Sequence, residues 1–114
     1  MSEQAGADPD RIIVAKLTGE ARCHAGFEPP GEAATAAAVA GLREIADGRT
    51  DLLAEVAGIF LGASEGELDE PLARNAAEFC RAAGADQELI PRWTEIGRQR
   101  AAQARQPPFS HGTL

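Results

Sequence analysis

A run of apolar residues in the middle of the chain predicts a helix that is buried on nearly all sides. The run is Asp51–Ala63, DLLAEVAGIFLGA. At 100° per residue, two acids and two glycines fall outside its apolar surface, on a strip about 60° wide: Asp51, Glu55, Gly58 and Gly62. A helix of this kind has to be enclosed by others, so we expect it to form the centre of a small bundle.

The first segment after the N-terminal residues is also predicted to be a helix. Asp8 is a typical N-cap and Pro9 suits the first helical position, and the helix is expected to run to about Glu20. The β-branched residues at 12–14 are compatible with a strand as well. A lone strand would have no partner in this chain, so a helix is preferred.

Three more helices follow from amphipathic spacing and from residues that begin or end helices. The segment Arg22–Gly31, with two prolines and two glycines, is predicted to be a loop. The helix before the central one is expected to run from Pro30 to about Asp47, with Gly48 ending it, and Thr50 is expected to cap the central helix. The next helix is expected to be capped by Asp69 and ended by Gly84. The last is expected to begin between Asp86 and Pro91 and to run to about Arg105.

These elements predict an all-α fold, a compact bundle of four to five helices around the central helix 51–63. Residues 1–7 are expected to be a disordered leader and 8–106 a single domain. Pro107 and Pro108 stop the last helix and leave 107–114 as an extended tail. The chain of 114 residues is long enough for one core.

Composition makes that core lean. There are 24 alanines but only four phenylalanines, one tryptophan and no tyrosine. Alanine allows helices to approach closely while burying little area, so stability has to come from tight helix contacts or from a partner. Ten arginines against the single Lys16 are typical of a GC-rich bacterial genome.

Charge and the first residues narrow the class of protein. The net charge of −7 argues against a general polyanion binder. Asp51 to Glu70 contains six acids and no base, whereas Pro91 to Leu114 contains four arginines and one acid. The start has neither a basic nor an apolar region of a secretory signal, and no apolar run reaches the ~20 residues that span a bilayer. We therefore expect a cytoplasmic protein with free cysteines.

Cys23 and His24 are the most suggestive pair for chemistry, with Cys80 far away in the sequence. Adjacent side chains point apart, and structural zinc sites usually use ligands spaced on one turn, so no metal site is predicted. Cys80 lies on the apolar face of its helix and is expected to be a core residue. Neither a catalytic residue nor a cofactor is predicted.

The last helix carries an arginine inside its apolar arc. Trp93 and Arg100 share this arc, and both are candidate binding residues. An arginine in such a place either extends to water or meets a carboxylate, so we expect Arg100 to form a structural pair with Glu55.

Two further features point to contacts with other segments. Gly58 and Gly62 form a small-residue groove, which admits either a partner segment or another helix of the same bundle. Phe27 and Phe109 each stand beside two prolines, in GFEPP and QPPFS, and extended proline segments often dock on partners. For Phe109, folding back onto its own bundle is an equal alternative.

Residues Phe79–Trp93, FCRAAGADQELIPRW, resemble the segment that follows the helix-turn-helix module in actinobacterial regulators. Where those regulators place a recognition helix, this chain has the acidic GASEGELDEP, so no functional residue carries over. The second half, ending in RQPPFS, is similar to small uncharacterised helical proteins of actinobacteria, which implies no activity.

The sequence therefore predicts a non-catalytic protein-interaction or regulatory protein. Its expected partner is another protein or a second copy of the chain; neither a membrane nor a nucleic acid is expected. One alternative is a small DNA-associated transcriptional regulator. A second is a thiol- or metal-dependent protein that uses Cys23, His24 and Cys80.

Overall fold

Five helices make up the structure, a computed structural model that describes residues 8–26, 28–64 and 70–105. They are α1 (Pro9–His24), α2 (Glu32–Ala46), α3 (Thr50–Ala63), α4 (Glu70–Ala82) and α5 (Ile90–Arg105). The described residues contain no strand, and the predicted all-α bundle is confirmed. Three predictions fall outside the described residues: the leader 1–7, the cap Asp69 and the tail 107–114.

Helix α1 confirms the helical interpretation of its β-branched run and extends beyond its predicted end. The Asp8 carboxylate caps the helix by accepting the backbone N–H of Asp10 at 2.9 Å. The predicted end at Glu20 is wrong, because the helix continues to His24. Ala21 is fully buried, and this core contact carries the helix through one more turn.

Two predicted helix starts are displaced by one or two residues. Helix α2 begins at Glu32 rather than Pro30, with Gly31 as N-cap. Helix α3 begins at Thr50 itself, so Arg49 is its N-cap and the predicted capping role of Thr50 is wrong. Neither Gly31 nor Arg49 accepts a backbone N–H of its helix through a side chain, so the residue types that usually mark an N-cap in a sequence are missing at both positions.

The glycines after α2 and α4 end these helices by different means. Asp47 and Gly48 both have positive φ, 50° and 86°, and α2 stops there. Gly84, at φ 115°, lies within a Schellman turn in which the Ala85 N–H donates to the Cys80 carbonyl at 3.1 Å. The left-handed backbone at Gly84 suits a residue without a Cβ.

Helix α3 is the centre of the bundle and packs against all four other helices. The core around it is rich in alanine, as the composition predicts. Ten of the 19 buried apolar residues in the described ranges are alanine, and Phe79, Leu17, Leu42 and Leu53 are the largest fully buried apolar side chains. Small side chains keep the helices close, and a few large ones fill the space between them.

Helices α1, α3 and α5 run in the same direction. Near their starts, Arg49 binds Asp10 of α1 at 3.0 Å, and the Asp86 N–H donates to the carbonyl of the first residue of α3 at 3.1 Å. Further along, the guanidinium of Arg22 in α1 lies 5.7 Å from the centre of the Phe60 ring in α3. The three helices are therefore aligned, with α3 between the other two.

No helix in the described part of the chain has both the length and the apolar character needed to cross a membrane.

Candidate functional site

A cleft of about 270 Å³ lies over α3 between α1 and α5. The two flanking helices both pack on α3 but, over the described residues, not on each other. Its floor is formed by α3 residues one turn apart, including Val56, Ile59 and Ala63. Ile59 and Ala63 are half-buried, so this is a stripe of the central helix that the bundle leaves partly uncovered.

The walls of the cleft carry three arginines, and we call it the arginine cleft. Arg11 and Arg22 come from α1 and Arg100 from α5. Val14 and Thr18 lie between the two α1 arginines, on the same face of that helix. The spacing 11, 14, 18, 22 follows the helical repeat, so one face of α1 forms a continuous wall.

An ion pair between the half-exposed Arg11 and the buried Glu55 closes one end of the arginine cleft. Glu55 is 2% exposed, and Arg11 donates to both of its carboxylate oxygens, Nη1 to Oε2 at 2.6 Å and Nη2 to Oε1 at 2.7 Å. These two hydrogen bonds raise the pKa of Arg11 above its ordinary value. The pair attaches α1 to α3 and fixes the position of the Arg11 guanidinium.

The predicted pair between Arg100 and Glu55 is wrong, since Arg11 occupies the carboxylate. The cause is the alignment of the parallel helices. Gly97 lies against the backbone of Ile59, with its Cβ position 2.8 Å from the Ile59 carbonyl oxygen. Arg100 is therefore level with the end of α3, roughly 10 Å beyond Glu55 along the helix. Both residues line the arginine cleft, at different positions along it.

Arg22 and Arg100 differ from Arg11 in their partners. Arg22 stacks over Phe60, a cation–π contact that leaves its N–H groups available. Among the described residues, neither Arg22 nor Arg100 has a carboxylate partner. Three arginines against one glutamate leave the cleft with two excess positive charges, in a chain whose net charge is −7.

The small-residue groove of α3 is filled by α5. A Cβ on Gly58 would lie 2.7 Å from the backbone nitrogen of Thr94 and would also collide with the Cβ of Trp93. One on Gly62 would meet the backbone of α5 at the Gly97 carbonyl carbon, 2.8 Å away. The groove is therefore an internal helix crossing. Helix α5 occupies the space that a partner segment would need.

The structure places the two cysteines in different surroundings. Cys23 is exposed in the last turn of α1, where its neighbour His24 contacts the Glu20 carboxylate through Nε2 at 3.0 Å. Cys80 is fully buried in α4, and burial raises the pKa of its thiol to about 12. Over the described ranges, no three side chains of His, Cys, Asp or Glu come together as metal ligands.

Two candidate residues cannot be placed, because Phe27 and Phe109 lie outside the described residues. The docking role predicted for these two phenylalanines therefore stays a prediction. Of the other candidates, Arg100 lies in the arginine cleft and Trp93 is half-buried at the α3–α5 crossing.

Sequence reasoning missed Arg11, Arg22 and Phe60 as site residues. Ending α1 at Glu20 assigned Arg22 to a loop and hid its place on the same face as Arg11. Once α1 is extended to His24, the positions 11, 14, 18 and 22 form an arginine-ended stripe that a helical wheel detects. The burial of Phe60 beside a cation has no comparable signal in the sequence.

The chemistry of the arginine cleft suits binding of an anionic group against an apolar surface. Guanidinium groups stay protonated and bind carboxylates with paired hydrogen bonds. The Thr18 hydroxyl donates to the Val14 carbonyl at 2.7 Å, and the Glu55 carboxylate is held by Arg11. These polar groups are committed to the fold, which leaves Arg22 and Arg100 to meet a ligand.

The resemblance of residues 79–93 to regulator segments stays a prediction, although the structure shows where this stretch lies. It spans the end of α4, the Gly84 turn and the first residues of α5. Comparison of the whole chain with protein-family models, curated proteins and solved structures finds no match.

Proposed function

We propose that the protein is a non-catalytic interaction or regulatory protein that binds a partner protein in the arginine cleft. One observation carries the proposal. Arg22 and Arg100 stand without carboxylate partners among the described residues, on either side of a half-exposed apolar stripe of the central helix. Apolar surface beside available arginines is the combination that protein interfaces favour.

The incomplete covering of α3 supports this proposal. The bundle covers most of this helix, and Val56, Ala57 and Phe60 are buried. The stripe that includes Ile59 and Ala63 faces open space between α1 and α5. A segment laid along the cleft would bury this stripe and add to the small area that alanine-rich packing provides.

The ionisable groups near the cleft also favour binding over catalysis. Glu55 is held by two hydrogen bonds from Arg11, and arginines do not exchange protons near neutral pH. Away from the cleft, the thiol of Cys80 in α4 stays protonated because burial raises its pKa. The DNA-associated alternative gains no support from α5, where Arg98 pairs with Glu95 of the same helix.

Photo-crosslinking from the cleft tests the proposal. The photoreactive amino acid p-benzoylphenylalanine replaces Thr18 in the cleft wall, and in a control protein it replaces Ala36, which is exposed on α2. Both proteins are irradiated in extract of the native cells. We expect a cross-linked protein from position 18 that is absent from position 36, and we expect Arg100→Glu to abolish it.

The identified partner is then purified for calorimetry with the unlabelled chain. Replacing Arg22 and Arg100 together by glutamate should weaken its affinity by at least about tenfold. Arg92→Glu, on the exposed part of α5, is the matched control and should change affinity by less than about twofold. Equal affinities for all variants would contradict the proposal.

In this proposal the partner protein includes the case of a second copy of the same chain. Size-exclusion chromatography with light scattering measures it directly. A mass that stays at 11.9 kDa, the mass of one chain, over a wide concentration range would exclude self-association. The partner would then be a different protein.

A further inference from the structure

We infer that the occupant of the arginine cleft is an acidic amphipathic helix of a partner protein. This inference rests on the proposed function and names the kind of segment that is bound. Three features of the cleft support it: its length, the spacing of its apolar floor and the position of its available charges.

The length of the cleft fits a helix of two to three turns. Its α1 wall extends from Arg11 to Arg22, which is about 16 Å at the rise of an α-helix. This length matches the size of grooves into which short helices lay one face.

The floor repeats at the spacing of a helix surface. Ile59 and Ala63 are half-buried and lie one turn apart on α3, whereas Val56, one turn before Ile59, is 1% exposed and closes the floor beneath them. A bound helix with apolar residues at positions i, i+3 or i+4, and i+7 presents its side chains at the same interval. The walls formed by α1 and α5 would then lie on both sides of that helix.

The positions of the available arginines in the cleft predict where the bound helix carries its acidic residues. Arg22 stands on the α1 side and Arg100 on the α5 side, both toward the end of α3, whereas Arg11 at the other end is already neutralised by Glu55. We therefore expect carboxylates on both flanks of the bound helix, concentrated at one of its ends. Each could accept paired hydrogen bonds from a guanidinium.

The parts of this chain outside the described residues do not have the required pattern. Residues 106–114, QPPFSHGTL, contain neither aspartate nor glutamate, and residues 1–7, MSEQAGA, offer one glutamate with methionine as the only large apolar residue. Residues 65–69, EGELD, are acidic but provide one apolar side chain. The charge and apolar pattern together point to another protein.

The test identifies the bound segment itself. The photoreactive residue p-benzoylphenylalanine replaces Ala63 on the floor, with folding checked by circular dichroism and with position 18 as a second attachment point. Mass spectrometry then identifies the cross-linked peptide, which is synthesised for titration against the unlabelled protein. We expect a net negative segment with the i, i+3 or i+4, i+7 apolar repeat.

Titration of that synthetic peptide gives the second readout. Its helix content should rise on binding, and its affinity should fall as salt is raised, since salt screens the arginine contacts. The variant with Arg22→Gln and Arg100→Gln should bind about tenfold more weakly, whereas Arg92→Gln should match the wild type. Glutamine keeps much of the side-chain volume, so the loss would report the charge.

Different failures have different meanings. A cross-linked segment that is neutral or basic, that binds without gaining helix, or that comes from this chain itself would overturn the acidic-helix inference and leave the cleft as a binding site. A partner that is recovered but never attached at positions 18 or 63 would overturn the proposed function as well.

Discussion

The two sides of α3 that face α1 and α5 are packed in opposite ways. Toward α5, Gly58 and Gly62 meet Gly97 and the backbones touch, with no room for a single added carbon. Toward α1, the contact passes through the long side chains of Arg11 and Glu55. Glycine brings helices together and leaves no cavity, whereas charged side chains hold helices apart and leave one. The arginine cleft is a consequence of this difference.

Apart from the half-exposed Asp51 at its start, the polar strip of α3 does not face solvent. Glu55, Gly58 and Gly62 are all buried, and the strip is covered by Arg11 and by α5. The more exposed positions include Ile59 and Ala63, which are apolar. A helix that is apolar almost all the way round can therefore keep its few polar positions for specific contacts with neighbours.

The largest loss of stability is expected when the glycine crossing between α3 and α5 is disrupted. Gly62→Ala should lower the free energy of unfolding by about 3 kcal/mol, because its Cβ would collide with backbone atoms of α5 that no rotamer change can move. Gly19→Ala is the control, since Gly19 is an exposed helix position with open space around it, and it should raise stability by up to about 1 kcal/mol. Urea titration measures both, and a loss of similar size in the two variants would contradict the close crossing.

A smaller effect is expected on the α1 side. Arg11→Met should cost about 2 kcal/mol, because it leaves the buried Glu55 carboxylate without its partner while Arg11 itself is half exposed. Replacing both residues by methionine should restore most of that stability. Arg22→Met, from the same wall, is the matched control and should change the free energy of unfolding by less than about 0.5 kcal/mol. Chemical denaturation of the wild type, of the single variants Arg11→Met and Glu55→Met, and of the double variant gives the coupling energy of the pair.

Arg49 connects the starts of α1 and α3, because it binds both Asp10 and Asp51. Hydrogen bonds from Arg49 hold the pKa of Asp10 and of Asp51 below their ordinary values. Lowered folded-state pKa values contribute stability that is present above the unfolded value of about 4 and is lost as pH falls through the folded values.

Arg49→Gln should therefore lower the melting temperature at pH 7, with the difference from wild type shrinking below about pH 4. Arg43→Gln is the control, since Arg43 donates to the carbonyls of Ala82 and Ala83 and, among the described residues, to no acid. Its effect should stay constant over the same pH range. A difference that grows in acid for Arg49→Gln would contradict the assigned contacts.

The smallest effect is expected at Arg100. Because it has no carboxylate partner among the described residues, Arg100→Gln should change the free energy of unfolding by less than about 0.5 kcal/mol. A thermal melt compared with Arg11→Gln checks this contrast. A large loss would mean that Arg100 serves the fold, and the case for its role in binding would weaken.

Much of the fold could be predicted from local signals. The apolar run 51–63 gave the central helix, Asp8 and Pro9 gave the start of α1, and the turn at Gly84 separated α4 from α5. Errors occurred where the local signal was missing or outweighed. The end of α1 was set by the burial of Ala21, and the caps of α2 and α3 lack side-chain hydrogen bonds.

The candidate site was less predictable, because it joins residues from three helices. A helical wheel of α5 shows that Arg100 lies in an apolar arc. It gives no information on how far α5 is shifted along α3. That shift follows from Gly97 resting on Ile59, and it puts Arg100 beyond the reach of Glu55. Arg11 became the partner only because α1 and α3 start together, joined by Arg49.

The sequence alone determined the class of fold, the central position of α3, the alanine-rich core and the burial of Cys80, since helical periodicity and capping act within single segments. The tertiary structure decided which arginine meets Glu55, which helix fills the glycine groove and where a cleft stays open. These outcomes depend on the direction, shift and separation of neighbouring helices, which arise from the packing of all five helices together.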